Sequence, residues 1–429
     1  MLKRLLLLAV LITVVCSCAS YTEDTKKVRS SFLVGQYQQA LIELEGSSIK
    51  NEKVSALLYH LEKSMILDRM GELDKSRKEL FKADRIADKL FTVSVSNTAA
   101  SFIVNERAQD YGGEDYEKIA IHTMLALSFL EDQDFKAALV QARKINTKLY
   151  EIVQEYDEKY RSYGEDAFAR YLAGLIHHAR GNIDDAIIDY KKALNVYESD
   201  SYHKFYVGSV PKGLVSSLYS LALTRGRTKI LNRLEKDYKN LIAKYKKQTK
   251  SGASYGELVV IHEVGNIEIK RAKEFIFQFG KQVVRFSFPY IRKTRHYKNG
   301  ATGVQLADGT FVKASNVADL NAIAHQCLED RRGRLLLKGA ARLLAKGQLT
   351  EQAYKNFGVL GGLAANAFSA ATETADTRSW TLLPEAFYVS KLVLPVGEHA
   401  LKLKSNGKIV DIVKVPIKKG KLNILRVSA

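Results

Sequence analysis

The sequence predicts a multidomain chain of class α + (α+β). An irregular array of helical hairpins fills residues 24–248, and a basic, mixed α+β domain fills 249–429, ending in a small antiparallel, sandwich-like β unit from about 386. Three observations predict this. Up to residue 247 apolar side chains recur every three or four positions and Pro211 is the only proline, the pattern of amphipathic helices. At "TKSGASYGE" (249–257) a Gly/Ser-rich break intervenes, and beyond it the apolar period shortens to two. The charge changes at about the same place: residues 1–224 carry 29 Lys+Arg against 31 Asp+Glu, and residues 225–429 carry 37 against 16.

The chain starts with a positive pair, Lys3 and Arg4, followed by an apolar run from Leu5 to Val15 broken only by Thr13. That run is too short for a mature membrane span, which needs about 20 residues, and has the proportions of a secretory signal. Val15-Cys16-Ser17-Cys18 resembles a bacterial lipobox with Cys18 as the acceptor, because Cys16 would place Val15 where a small residue is needed. The expectation is a signal peptide over 1–17 and a lipidated tether over 18–23. Its acyl chains hold the protein on a membrane at about 0.8 kcal/mol per buried CH₂. Ala19, in place of an aspartate, points to the outer membrane and a periplasm-facing chain. Cys327 is then the one cysteine left, so no internal disulfide is expected.

Within the helical half, "GLIHHARGNIDDAIIDYKKAL" places Gly174, Gly181, Ala186, Tyr190 and Ala193 at spacings that resemble the tetratricopeptide repeat. Small residues let two helices approach, the central glycine makes the turn, and the bulky residue fills the groove between neighbours. The same ruler finds Ser64, Gly71, Ser76, Leu80 and Ala83 in "SMILDRMGELDKSRKELFKA", and Val28, Gly35, Ala40, Leu44 and Ser47 nearer the start. A looser copy has Ala126, Gln133, Ala138, Ala142 and Ile145, with glutamine at the turn. Ala40, Ser76, Ala138 and Ala186 are separated by 36, 62 and 48 residues, against about 34 for a regular array. Insertions are therefore expected near 90–115 and 147–165. A final pair is expected at about 212–224 and 227–247. Arrays of this kind bind proteins along a curved face.

The second half reads as strands around one long helix. "ELVVIHEVG" and "KQVVRFSFPYI" are strands, and "GVQLADGTFVKA" holds Asp308-Gly309 between two more, a strong hairpin signal. "VADLNAIAHQCLEDRRGRLLLKGAARLLAKG" reads as helix. The 13 residues of Val359–Ala371 are expected to form a packed helix rather than a membrane span. From 386 four strands return, joined by Pro395-Val396-Gly397, Asn406-Gly407 and Lys418-Lys419-Gly420.

Arg334, Lys338, Arg342 and Lys346 follow one another at intervals of four and form one helical ridge, whose mutual repulsion an anionic partner would relieve. The bland alternative is a solvated face. For an exported protein nucleic acid is not an expected partner; anionic lipid or an acidic envelope polymer is the expected counterion.

No phosphate-binding loop, His-Glu-x-x-His or paired Cys-x-x-Cys is present, so no cofactor or metal is expected. His177 and His178 are adjacent and diverge on a helix. His262 and Glu263 fall on opposite faces of a strand, and His325 and Cys327 lie roughly opposite on a helix. Glu114-Asp115 and Asp184-Asp185 sit where helices start and complement the dipole. No catalytic constellation is visible.

Three stretches together resemble a family of bacterial lipoproteins with a tetratricopeptide-like N-terminal half. They are "NERAQDYGGEDYEKIAIHTMLALSFL", "GELVVIHEVG" and "ADTRSWTLLPEAFYVSKLVLPVGEHALKL". Val396 departs from the pattern, which often has a second proline there. In the last stretch Asp376 is expected to cap locally or pair with Arg378, and Trp380 to bury as an anchor, within either a packed junction or a recognition site. The expected function is a membrane-anchored periplasmic scaffold or adaptor that gathers cell-envelope proteins through its repeats. The alternative is an enzyme, a hydrolase acting on an envelope polymer with a site assembled across the fold.

Overall fold

The computed structural model describes residues 21–96, 107, 109–155, 163–200, 202, 209–249, 254–279, 282–293, 302–372 and 374–428. The signal peptide and Cys18 lie outside the described residues. The chain forms two compact units, each drawn from three separate stretches. One gathers Met1–Gly113, Ile269–Arg292 and Arg331–Leu382; the other gathers Glu114–Glu268, Lys293–Asp330 and Leu383–Ala429.

The first unit holds two helical hairpins: α1 (Lys26–Leu33) with α2 (Tyr37–Glu45), and α3 (Ala56–Arg69) with α4 (Leu73–Ser96). Their turns carry Gly35 at φ 79° and Gly71 at φ 76°, the left-handed backbone for which glycine has no Cβ penalty. Ala40, Ser64, Ser76 and Ala83, the small positions of the repeat ruler, are buried. Ser76 donates to the Ser64 carbonyl at 2.8 Å, which ties α4 to α3. The helix α2 packs on α3, so the second helix of one hairpin meets the first of the next.

The unit's remaining stretches supply a two-stranded antiparallel ribbon and most of a long helix. Numbering of the strands follows chain order from β1 (Tyr255–Val264); the ribbon pairs β2 (Arg271–Phe279) with β3 (Gln282–Tyr290). The helix α12 (Leu320–Thr372) belongs to this unit from Arg331 onward. A Cβ at Gly339 would lie 2.4 Å from the Phe286 ring, so the glycine lets helix and ribbon touch. At Gly358 (φ 65°, ψ −161°) the helix breaks. The second arm returns along the first: Lys346 Nζ donates to the Ser369 carbonyl at 3.4 Å. The segment Val359–Ala371 is helical but not packed as expected. Val359, Leu360 and Leu363 are 69%, 79% and 54% exposed. The reason lies in the side that packs. A Cβ at Gly362 would meet the Tyr354 ring at 2.2 Å, so a small residue faces the first arm and the bulky ones are left outside.

The second unit holds three more hairpins: α5 (Asp115–Glu131) with α6 (Phe135–Glu155), α7 (Ala167–Ala179) with α8 (Ile183–Glu198), and α9 (Lys212–Thr224) with α10 (Thr228–Asp237) and α11 (Lys239–Thr249). Glu114 opens α5 as a capping box, its N–H donating to Glu117 Oε2 at 3.0 Å. Gly181 turns at φ 79°, and Gln133 occupies the equivalent left-handed position at φ 59°. A Cβ on Gly174 would sit 2.4 Å from Tyr190 Cδ1, which is the close approach the spacing predicts. Again α6 packs on α7 and α8 on α9.

Two four-stranded sheets complete this unit. The remaining strands are β4 (Gly303–Leu306), β5 (Phe311–Lys313), β6 (Ser315–Asp319), β7 (Ala386–Pro395), β8 (Gly397–Ser405), β9 (Lys408–Ile417) and β10 (Leu422–Ser428). One sheet has the order β10-β1-β7-β6 and the other β5-β4-β8-β9. Leu258, Val260, Leu392 and Leu394 of the first meet Val304, Leu401, Leu403, Val415 and Ile417 of the second in one apolar core, a sandwich. The other face of the first sheet carries helices: Phe168 stacks on Phe387 at 5.0 Å and Tyr197 Oη donates to the Val317 carbonyl at 2.8 Å.

Two local expectations change. The terminal strands do not form a self-contained antiparallel unit; β7 and β10 join one sheet, β8 and β9 the other, and β10 runs parallel to β1. The run "LVVIHEV" in β1 is buried along its length, so it is a central strand needing a neighbour on each side. Val317 to Asp319 end β6 rather than start the helix, and Asp319 Oδ1 accepts from the Ala322 N–H at 2.9 Å as the cap.

Candidate functional site

In the first unit α2, α3 and α4 enclose a groove of about 580 Å³ lined by Leu41, Glu45, Lys63, Leu67, Lys75, Lys78, Glu79, Phe81, Lys82 and Arg85. Its basic wall is built by α4. Lys75, Lys78, Lys82 and Arg85 recur at intervals of three, four and three, so they share one helical face, and all four are exposed. Leu41, Leu67 and Phe81 give the groove an apolar floor.

The two carboxylates of the groove are already engaged. Glu45 accepts from Lys63 at 2.6 Å, Tyr59 at 2.8 Å and pairs with Lys50 at 2.7 Å. Burial would raise its carboxyl, but those donors outweigh it and hold it at about 2. Glu79 meets Lys82 at 2.9 Å and His60 at 2.6 Å. Burial again opposes and the hydrogen bonds prevail, leaving its carboxyl below the ordinary value. Five cations against two satisfied anions leave a positive groove with apolar patches, suited to an acidic segment of a partner that also carries apolar side chains.

The Asp376–Trp380 stretch is a packed junction. Arg378 is 4% exposed, and its guanidinium donates to both oxygens of Asp376 at 2.9 and 2.8 Å and to the carbonyls of Val54 and Gln109 at 2.9 and 3.0 Å. The same guanidinium lies over the Tyr111 ring at 5.1 Å. Trp380 is fully buried. Just beyond it the fully buried Glu62 accepts from Tyr21 Oη (2.7 Å), Thr381 N (2.7 Å), Thr381 Oγ1 (2.8 Å) and Leu382 N (3.1 Å). Burial pushes its carboxyl up against the pull of these donors. The segment is thereby bolted to the first hairpins of its unit, and its charges are spent internally.

The second unit holds a buried polar cluster that the sequence reading missed. Lys391 Nζ donates to Ser217 Oγ at 2.8 Å and pairs with Glu257 at 3.0 Å. His178 Nε2 lies 3.8 Å from the other Glu257 oxygen, and His178 Nδ1 is 3.3 Å from Tyr190 Oη. Burial pulls the Lys391 ammonium below its ordinary value and holds His178 at about 4. The cluster contains a hydroxyl beside an amine, yet Ser217 is fully buried and the Lys391 side chain is 4% exposed. The arrangement ties α7, α8 and α9 to β1 and β7. Its members lie at 178, 217, 257 and 391, too far apart in the chain for any spacing rule to find.

The other sequence-singled residues fall as follows. Arg334 is exposed, Lys338 and Lys346 are half-buried, and Arg342 is buried at 7%; the ridge is present, but part of it faces the returning arm of α12. His177 lies 3.7 Å from Asp185, pointing away from His178. His262 meets Ser390 at 3.1 Å while Glu263 accepts from Arg426 at 2.6 Å, on opposite faces of β1. Cys327 is buried and in no disulfide. Among the described residues no His/Cys/Asp/Glu group could hold a metal ion.

The stacked hairpins with left-handed turns define the class: a tetratricopeptide-like helical array followed by mixed sheets. No family model matches the chain and no curated protein matches it. Solved structures similar to it include MamA of strain AMB-1, at 15% identity and TM-score 0.30 over 54% of this chain and 91% of that one. A Podosopora anserina protein of the kinesin light chain type, with nearly identical TPR-like repeats, is 12% identical at TM-score 0.32 over 53% and 96%. The apo form of RapI is 11% identical at TM-score 0.35 over 53% and 72%.

Proposed function

We propose that the protein is a membrane-anchored, periplasm-facing scaffold lipoprotein that holds a cell-envelope protein by an acidic segment in the groove of α2, α3 and α4. The observation that carries this reading is the basic face Lys75, Lys78, Lys82 and Arg85 set over an apolar floor. A helical array offers such a surface without chemistry of its own. The anchor is Cys18, for which the lipobox-like Val15–Cys18 and the preceding apolar run are the support.

Two experiments test the two parts. A photo-crosslinker at Lys78 in the full chain, activated in cells, captures a partner; changing Lys75, Lys82 and Arg85 to Glu abolishes that crosslink. Persistence of the same crosslink in the reversed variant overturns the groove. Labelled fatty acid enters the wild-type protein and not the Cys18→Ser variant; label in that variant overturns the anchor.

A further inference from the structure

The distal end of α12 combines two features that the scaffold reading does not use. Around the Gly358 break, Phe357, Val359, Leu360 and Leu363 are 75%, 69%, 79% and 54% exposed, so four large apolar side chains within seven residues face water at the tip of a helical hairpin. Leu349 and Leu344, farther back on the first arm, are 61% and 73% exposed. Scattered single apolar residues on a surface are ordinary, but a contiguous group at a protruding end marks a contact site. The second feature is charge. Between residues 331 and 372 the chain carries seven Lys and Arg against one acid, Glu351. Arg334 and Lys355 are exposed on this stretch, Lys355 in an exposed ion pair with Glu351 at 2.8 Å.

We propose that this hairpin tip is a wedge that enters the interface of an anionic bilayer, with Phe357, Val359, Leu360 and Leu363 among the acyl chains and the basic arms at the headgroups. The pairing of apolar tip and cationic arms is that of an interfacial membrane element, whose binding combines buried apolar area with attraction to anionic lipid. No helix among the described residues is long and apolar enough to cross a membrane, so the contact is insertion of an end and not a span. A second copy of the chain, the other occupant of an apolar tip, would bring the same seven cations against themselves. The wedge stands independently of the groove and of the Cys18 anchor.

The test reads the tip itself. Phe357→Trp in the full chain places an indole at the tip; Trp380, the one native indole, is fully buried and serves as the fixed background. With vesicles of phosphatidylcholine and phosphatidylglycerol, the added indole shifts to shorter wavelength and is quenched by bromine on the acyl chains. Leu360→Asp in the same background abolishes both effects, and an unchanged circular dichroism spectrum shows that the fold survives. Lys355→Gln, beside the tip, weakens partition to anionic vesicles about fivefold, and Arg334→Gln, more than a Debye length back along the arm, leaves it nearly unchanged. An indole that stays water-like and unquenched on anionic vesicles overturns the proposal. So does a blue shift that grows with protein concentration without vesicles, which would assign the tip to a second copy. Equal insertion into uncharged vesicles would overturn the role of the arms.

Discussion

Replacing Glu62 should unfasten the Thr381–Leu382 strap, and the size of the effect follows from how its two oxygens divide four donors. Oε1 takes Tyr21 Oη, Thr381 N and Thr381 Oγ1; Oε2 takes Leu382 N. In Glu62→Gln the amide oxygen can keep the three bonds at Oε1, while its NH₂ faces the Leu382 N–H at the position where a 3.1 Å bond stood. One lost acceptor for a buried donor costs about 1–3 kcal/mol. In Glu62→Ala both backbone donors lose this acceptor, which costs about 2–6 kcal/mol before the hydroxyls are counted. Each 1.4 kcal/mol corresponds to about tenfold in an opening equilibrium. Native-state hydrogen exchange at the Thr381 and Leu382 amides should therefore accelerate about tenfold in Glu62→Gln and about a hundredfold or more in Glu62→Ala. The readout is local, so it does not depend on the two units unfolding together. Equal acceleration in both variants, or none in Glu62→Ala, would refute the division of donors described above.

Other expectations concern the second unit. Gly174→Ala drives a Cβ into the buried Tyr190 ring and should cost about 1–3 kcal/mol in urea titrations, whereas Gln133→Gly relieves a left-handed backbone and should stabilise by up to about 1 kcal/mol. Unchanged midpoints in either would contradict the repeat geometry. Burial holds His178 and His262 at about 4 against an ordinary 6.5. The unfolded chain therefore takes up their protons first as pH falls. Their contribution is complete above 6.5 and is lost between there and about 4, at about 3 kcal/mol for each histidine. His262→Gln should flatten that slope, and a slope unchanged by the substitution would show that other groups set it. Lys391→Met strands Glu257 as a buried charge and should cost about 3–5 kcal/mol, and the double change with Glu257→Leu should recover most of it. A double variant as unstable as the single one would mean that the pair's packing, not its charge, ties helices to sheet.

Periodic features were legible in the sequence and convergent ones were not. The repeat ruler located every hairpin turn it named: Gly35, Gly71, Gln133 and Gly181 are all left-handed. Local geometry dictates such positions, so local spacing reveals them. The Asp308-Gly309 hairpin was legible for the same reason. The basic groove was also written in the spacing of Lys75, Lys78, Lys82 and Arg85, but its half of the chain is nearly neutral overall. Glu72, Asp74, Asp84 and Asp88 sit among those cations and cancel them in any running sum. The excess positive charge lies instead in the second half, with the ridge at 334–346, where one member, Arg342, is buried. The ties from Glu62 to Thr381 and Leu382 and from Lys391 to Ser217 and Glu257 join residues more than a hundred positions apart. Nothing in their neighbours' sequence signals a partner.

The way each unit is drawn from three stretches has a consequence for the order in which the protein can be completed. A chain leaving the ribosome has the stacked hairpins of its repeat array by residue 249, yet the strap that closes the first unit ends at Leu382. The first sheet of the second unit stays one strand short until Leu422–Ser428 arrives to lie beside β1. The first unit closes only once Leu382 has been made and the second only with its last strand, so the hairpins wait through most of synthesis with their packing sides uncovered. Contacts of such sequence separation fold slowly. The interval between making Phe168 and making Phe387, the ring it stacks on, is one in which a holding partner would have the most to protect.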